Sequence, residues 1–346
     1  MTVPSAYFRQ SDGAFRERFG LSFEDFSVGQ RFLHRPGITL SQQENVEESL
    51  DTLNAAMLHY DAHYAAQTAW KRPLLVSTIT LKRAIGMGSK TLGRRRAILR
   101  FDEIAMTAPL FGGDTIYSES EVLDIEPGDR SDCGTVRLRT SAVKADGIVA
   151  GRFVWLGAFW RRGHGPDAEP GTPCETARFS AFRKLENGAL MEEQGLFYED
   201  FEEGDCFIHY PRRSFSEVEL IEQTRRALDL SPFWQDPAQR SETGALRVPE
   251  PVLIGAATAL TTRTFGRVVA NLGWTDTELP APVFAGDTIE ARSRIVARRD
   301  SRSRPGEGVL TVDTSVRNQR DVTVLSFRRN LLVYRRSSAP YAQAGY

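Results

Sequence analysis

Apolar positions along the chain fall into two kinds of run. Leu75, Ile79, Ala84 and Ile85, between Pro73 and Gly93, are broken only modestly by Lys82 and Arg83 and predict a largely buried helix starting near Ser77. Ala256, Ala257, Ala259, Leu260 and Phe265 predict its counterpart from near Gly255. The stretches Thr135 to Ala142, Val149 to Trp160, Val309 to Val316 and Val322 to Tyr334 are rich in Val, Phe, Leu, Thr and Trp and read as β-strands.

These elements occur twice in the same order, which decides the architecture before any local assignment does. Phe23-Glu24-Asp25-Phe26 with Gly29 and His34 returns 175 residues later as Tyr198-Glu199-Asp200-Phe201 with Gly204 and His209. Ser41-Gln42-Gln43-Glu44 returns at the same offset as Ser216-Glu217-Val218-Glu219. Both have the S-x-x-E form in which Ser and Glu cap a helix start reciprocally. Ala108-Pro109-Leu110-Phe111-Gly112-Gly113-Asp114-Thr115-Ile116 returns 173 residues on as Ala281-Pro282-Val283-Phe284-Ala285-Gly286-Asp287-Thr288-Ile289, a turn leading into a strand. Asp114 and Asp287 read as turn formers, and His34 and His209, at equivalent strand ends, as structural.

Each half therefore reads as helix, helix, then several antiparallel strands. A long helix gripped by a strongly curved antiparallel sheet is the hot-dog arrangement, so the expected class is α+β with two fused hot-dog domains. The expected boundaries are an N-terminal extension over 1–20, a first domain over 21–162, a linker over 163–195, a second domain over 196–336 and a tail over 337–346. The linker assignment rests on Gly163-His164-Gly165-Pro166 and Glu169-Pro170-Gly171-Thr172-Pro173, which show no periodicity.

Composition narrows the partners. With 346 residues, 41% hydrophobic and 26% charged, the chain is long enough for two ordinary cores. Its 44 basic and 45 acidic residues give a formal net charge of −1, so neither nucleic acid nor a membrane surface is expected as partner. Cys133, Cys174 and Cys206 are far apart and outside any zinc-type spacing, and no metal is expected. The first twenty residues carry Arg9, Asp12, Arg16, Glu17 and Arg18 and no apolar run of signal-peptide length, which predicts a cytoplasmic protein.

The E-D-F-x-x-G openings, the A-P-[LV]-F-x-G-D-T strand starts and a polar loop after the first helix resemble the MaoC-like, R-specific enoyl-CoA hydratases over about 21–162 and 196–336. That family's loop has the form G-D-x-N-P-L-H-x-D, whose Asp and His handle the water that adds across the double bond. The first half reads Asn54-Ala55-Ala56-Met57-Leu58-His59-Tyr60-Asp61, keeping the His. The second reads Asp229-Leu230-Ser231-Pro232-Phe233-Trp234-Gln235-Asp236, with Trp234 in the place of the His. The mesaconyl-CoA hydratase branch (2-methylfumaryl-CoA hydratase, methylmalyl-CoA dehydratase) is more similar and also has Asn-x-x-x-x-His. Its similarity extends to Val136–Ala142 and Val268–Trp274.

The resemblance implies hydration or dehydration of a short-chain, branched or dicarboxylic acyl-CoA in the first half, with the coenzyme A thioester as substrate and no metal or redox cofactor. Such chemistry needs a base for the water, a proton donor for the α-carbon and dipoles aimed at the thioester oxygen. His59 is the candidate for the first two roles, since imidazole exchanges protons near neutral pH. Asn54 can only orient by hydrogen bonds. Backbone amides at Ser77 and Thr78, opening the buried helix, suit the developing negative charge.

Asp51 or Asp61 could replace the missing carboxylate. Arg83 reads either as a ligand for a distal carboxylate or as a snorkelling surface side chain, and Arg94-Arg95-Arg96 either as CoA-phosphate ligands or as an exposed turn. The second half reads as a structural mate. Two other functions fit the same residues: dehydration or isomerisation of a carrier-protein-bound acyl group, and thioester binding without chemistry. A homo-oligomer stays open at this level.

Overall fold

The computed structural model describes residues 3–166, 168, 171–240, 244–341, 344 and 346, so parts of the expected linker (167, 169–170) and tail (342–343, 345) lie outside the described residues. It divides into two compact units. One comprises Met1–Pro4, Phe19–Pro170 and Ser180–Glu193, the other Ser5–Arg18, Gly171–Phe179 and Gln194–Tyr346.

The first unit is a seven-stranded sheet in the order Arg95–Met106, Val149–Trp160, Cys133–Lys144, Thr115–Glu126, Arg31–Thr39, Leu190–Glu192, Phe182–Lys184. Thr115–Glu126 and Cys133–Lys144 alternate buried with half-buried positions, the pattern of a sheet with one face on a core. Register shifts interrupt the pairing of Arg95–Met106 with Val149–Trp160 at three places, and such bulges bend a sheet enough to wrap a helix. That helix, α2 (Ser77–Met87), follows α1 (Gln42–Asp51). It buries Ile79, Thr80, Ala84 and Ile85 on one face, and Ile79 packs with Leu40, Leu75, Leu110 and Ile116. The Ser118 hydroxyl donates to the Ala84 carbonyl at 2.7 Å, tying the helix to the strand beneath it.

The second unit repeats this plan. Helices α3 (Glu217–Arg226) and α4 (Glu250–Leu260) precede Val268–Glu278, Thr288–Asp300, Glu307–Asn318 and Thr323–Tyr334. The α4 helix starts at Glu250, earlier than the Gly255 expected from the apolar run. Pro249 and Pro251 flank its first residue, where a fixed φ suits a helix start and a missing N–H costs no intrahelical bond. Phe23 and Tyr198, from the two repeated opening motifs, lie on Gly134 and Gly308. A Cβ at those glycines would come within 2.4 and 2.2 Å of the rings, so only glycine admits them. Two hot-dog domains, each an antiparallel sheet wrapped around a helix, are thus present in one chain.

The segments read as extension and linker carry structure of their own. Tyr7–Arg9 and Phe15–Glu17 pair as a hairpin around Asp12-Gly13, and Phe182–Lys184 and Leu190–Glu192 pair around Asn187-Gly188. Both glycines have positive φ, +82° and +79°, as Asp-Gly and Asn-Gly turns require. The first hairpin stands in the second unit, where Phe15 pairs in parallel with Phe207. The second stands in the first unit, where Leu190 pairs in parallel with Phe32.

Each hairpin delivers a buried glutamate. Glu192 accepts from His34 Nδ1 at 2.9 Å, and His34 Nε2 meets Ser120 Oγ at 2.9 Å. Glu17 meets His209 Nδ1 at 3.1 Å, with Ser293 Oγ on the other ring nitrogen at 2.9 Å. Burial works to raise both carboxyl pKa values, but the neighbouring histidines outweigh it and hold them below the usual carboxylate range. His34 and His209 are therefore packed structural groups, both fully buried.

Candidate active site

The loop that carries His59 is organised by α1. Ser41 caps that helix by accepting from the Glu44 amide at 3.0 Å, but the reciprocal half of the expected box is not made, because the Glu44 carboxylate binds Arg83 instead. One turn further, Asn45 is completely buried and reaches three backbone groups. Its Nδ2 donates to the His59 carbonyl at 2.7 Å and the Leu74 carbonyl at 3.1 Å, and its Oδ1 accepts from the Val76 amide at 2.8 Å. Gln42 adds a second donor to the His59 carbonyl at 2.7 Å. One side chain thus fastens the His59 turn to the segment that leads into α2.

This clamp fixes the chemistry of the imidazole. His59 Nδ1 lies 2.7 Å from the Leu74 carbonyl oxygen, which can only accept, so Nδ1 carries the proton and the neutral ring keeps its lone pair on Nε2. His59 is half-buried, which leaves one edge open to a small molecule. Val76 precedes α2 as its N-cap without a side-chain cap bond, and the Ser77 and Thr78 residues are exposed. The Ile79 amide donates to the Val76 carbonyl at 3.0 Å, and the Ser77 and Thr78 amides have no acceptor within a helix, so this end presents N–H donors and the positive end of the dipole.

The other expected site residues are placed differently. Asn54 is half-buried, and its Oδ1 accepts from the Ala56 amide at 3.0 Å, an Asx turn that leaves Nδ2 as donor; among the described residues no hydrogen bond joins it to His59. Asp61 caps the short helix Ala62–Gln67 by accepting from the Tyr64 amide at 2.9 Å. Arg83 lies on Glu44, and Lys82 on Glu48, whose carboxyl is held below its usual range by the Lys82 ammonium against some desolvation. Thr78 Oγ1 also donates to Glu48, at 2.9 Å. Arg94 is buried and donates to the Arg161 and His164 carbonyls, so it is structural.

Sequence reasoning missed Asn45, whose work is done on backbone groups. It also missed Arg72, exposed two residues before Leu74 with its guanidinium 3.9 Å over the Phe111 ring.

The loop of the second unit is built otherwise. Leu220 stands where Asn45 stands, fully buried in an apolar cluster, and Trp234 donates through Nε1 to Asp229 at 2.6 Å. Pro251, without an N–H, occupies the second position of α4.

The family described as mesaconyl-CoA hydratase matches residues 2–150 and 175–345. The chain belongs to the mesaconyl-CoA hydratase family. Among the family's curated relatives, a mesaconyl-CoA hydratase of Haloarcula hispanica is 30% identical over 162 residues, 46% of this chain and 45% of the relative. A β-methylmalyl-CoA dehydratase of Chloroflexus aurantiacus is 29% identical over 124 residues, 35% of each. The chain thus matches less than half the length of these relatives.

Two solved structures align along most of the chain. A putative MaoC domain protein dehydratase of Chloroflexus aurantiacus has 19% identity and a TM-score of 0.41, covering 92% of this chain and 98% of that one. A double-hotdog protein of Mycobacterium tuberculosis has 23% identity and a TM-score of 0.39, covering 91% and 99%. In this mesaconyl-CoA hydratase family member, no group of three or more His, Cys, Asp or Glu side chains gathers as a metal site among the described residues. None of its described helices is long and apolar enough to cross a membrane.

Proposed function

We propose that the chain is a hydro-lyase that adds water to, or removes it from, the double bond of a short, branched dicarboxylic acyl-CoA thioester, using the His59 loop of the first unit. The observation that carries this reading is the Nδ1–H bond from His59 to the Leu74 carbonyl, which makes Nε2 the one basic nitrogen of the neutral ring. In the hydration direction Nε2 takes a proton from water while the hydroxide bonds to the β-carbon. The π electrons move onto the thioester oxygen as an enolate, and the imidazolium then returns its proton to the α-carbon. The first-turn amides of α2, at Ser77 and Thr78, are the donors suited to the enolate oxygen. Asn54 Nδ2 orients the water.

The names of the relatives support a dicarboxylic substrate. Because Arg83 is held by Glu44, the cation assigned to a distal carboxylate is Arg72. Turnover of mesaconyl-CoA, crotonyl-CoA and a carrier-bound crotonyl group tests the reading. Mesaconyl-CoA should be hydrated fastest, and His59→Ala should lower its rate by roughly 100-fold or more with little change in Tm. Arg72→Ala should slow mesaconyl-CoA by about 10-fold relative to crotonyl-CoA, the worth of one charge-assisted hydrogen bond. An unchanged His59→Ala rate would place the chemistry elsewhere, and no turnover of any thioester would leave a binding protein.

A further inference from the structure

A cavity of about 860 Å³ opens in the second unit between α4, the end of α3 and the segment from Tyr210 to Ser214. Its floor is the small face of α4, with Val252, Gly255, Ala256 and Ala259. Among the described residues its lining includes three arginines, Arg212, Arg213 and Arg263, and no carboxylate. Arg263 is held in place by donating to the Tyr210 and Arg18 carbonyls at 2.9 and 3.0 Å. Arg213 binds Glu219, while its buried Nε has no acceptor. Arg212 is exposed.

The first unit shows why the space exists. Both α2 and α4 are eleven residues long and start at equivalent places, so Gly255 and Ala256 correspond to Lys82 and Arg83. In the first unit those two long side chains lie across the helix face on Glu48 and Glu44. In the second, Gln223 takes the place of Glu48, glycine and alanine replace the cations, and Glu219 turns to Arg213. The ion pairs are gone from the floor and positive charge has moved to the rim.

We propose that this cavity is a binding site for an amphipathic anion: an apolar chain laid along Val252, Gly255, Ala256 and Ala259, with a terminal phosphate or carboxylate received by Arg212 in the field of the Arg263 guanidinium, since Arg213 is taken by Glu219. An opening of this size, apolar beneath and cationic at the edge, matches such a ligand in volume and charge. The inference rests on the second unit alone and does not depend on His59 chemistry.

The test is calorimetric titration of the full chain with octyl phosphate, octanoate and octanol. At least one of the two anions should bind, at least 10-fold tighter than octanol; the stronger of them identifies the head group. Gly255→Leu should weaken that binding more than 10-fold while the Tm holds or rises, because a Cβ at Gly255 meets nothing within 4 Å and leucine favours a helix over glycine. Arg212→Ala should weaken the anion about 10-fold and leave octanol unchanged. Equal affinity for octanol, no binding of either anion, or full binding by a folded Gly255→Leu chain would each overturn the site.

Discussion

The two units share their buried hydrogen-bond network and differ in their loops. In both, a histidine at the equivalent position of the repeat, within Arg31–Thr39 in one unit and just after Cys206–Ile208 in the other, is sandwiched between a hairpin glutamate and a serine, and the serine meets a threonine: Ser120 with Thr140 at 3.0 Å, Ser293 with Thr314 at 2.9 Å. In the loops, Asn45, His59 and Thr78 of the first unit correspond in sequence to Leu220, Trp234 and Pro251 of the second. Groups that keep a sheet closed are present twice, whereas groups that hold an imidazole beside open amides are present once. A duplicated chain can thus retain a core device in both copies while its loops diverge.

The largest effect should come from the shared device. Glu192→Ala or Glu17→Ala leaves a buried histidine without its partner and should cost about 3–5 kcal/mol in urea unfolding, similarly in either unit. The same carboxylates set an acid limit. Their folded pKa values are depressed, so their stabilisation is complete above the ordinary carboxylate value of about 4.3 and is lost as pH falls through the folded value. Stability measured from pH 5 downward should fall in the native chain and fall less steeply in Glu17→Gln or Glu192→Gln. Parallel curves would show that these pairs do not set the limit.

Next in size is Asn45→Leu, which makes the first loop like the second. The Val76 amide loses its acceptor while Gln42 and His59 Nδ1 stay on the other two carbonyls, so about 1–3 kcal/mol of stability should go, together with most of the hydratase rate. Retained activity would mean that His59 holds its place without the clamp. Asn54→Ala should lower the rate by less than His59→Ala, and Asn54→Asp should keep it. The smallest effect is expected of Trp234→His: an imidazole there should add no measurable turnover, since Pro251 supplies no amide and Leu220 no anchor. A second active site in that variant would erase the contrast between the loops.

Much of this was legible in the sequence. The three repeated motifs pointed to two helix-plus-sheet domains because turn and cap residues recur at nearly constant offset. His59 stood out because it keeps the His of the resembled family's loop, where the other repeat has Trp234. The hairpins escaped because three-residue strands are too short for a period-two pattern to register, although Asp12-Gly13 and Asn187-Gly188 sit 175 residues apart. Asn45 escaped because its partners are main-chain atoms, which leave no residue pattern. Arg83 was ambiguous because the sequence does not show that Glu44 leaves its capping position to meet it.

The crossed ownership of the hairpins has a consequence for dissecting this chain. Cutting near 166–171 yields one fragment holding the body of the first unit with the hairpin of the second, and another holding the reverse. Neither piece carries the hairpin strand that pairs in parallel with its own Arg31–Thr39 or Cys206–Ile208, nor the acid that partners its own buried imidazole. Such fragments are complementary halves, whereas a gene in which residues 5–18 and 180–193 trade places would put each hairpin in the same half as the sheet it joins.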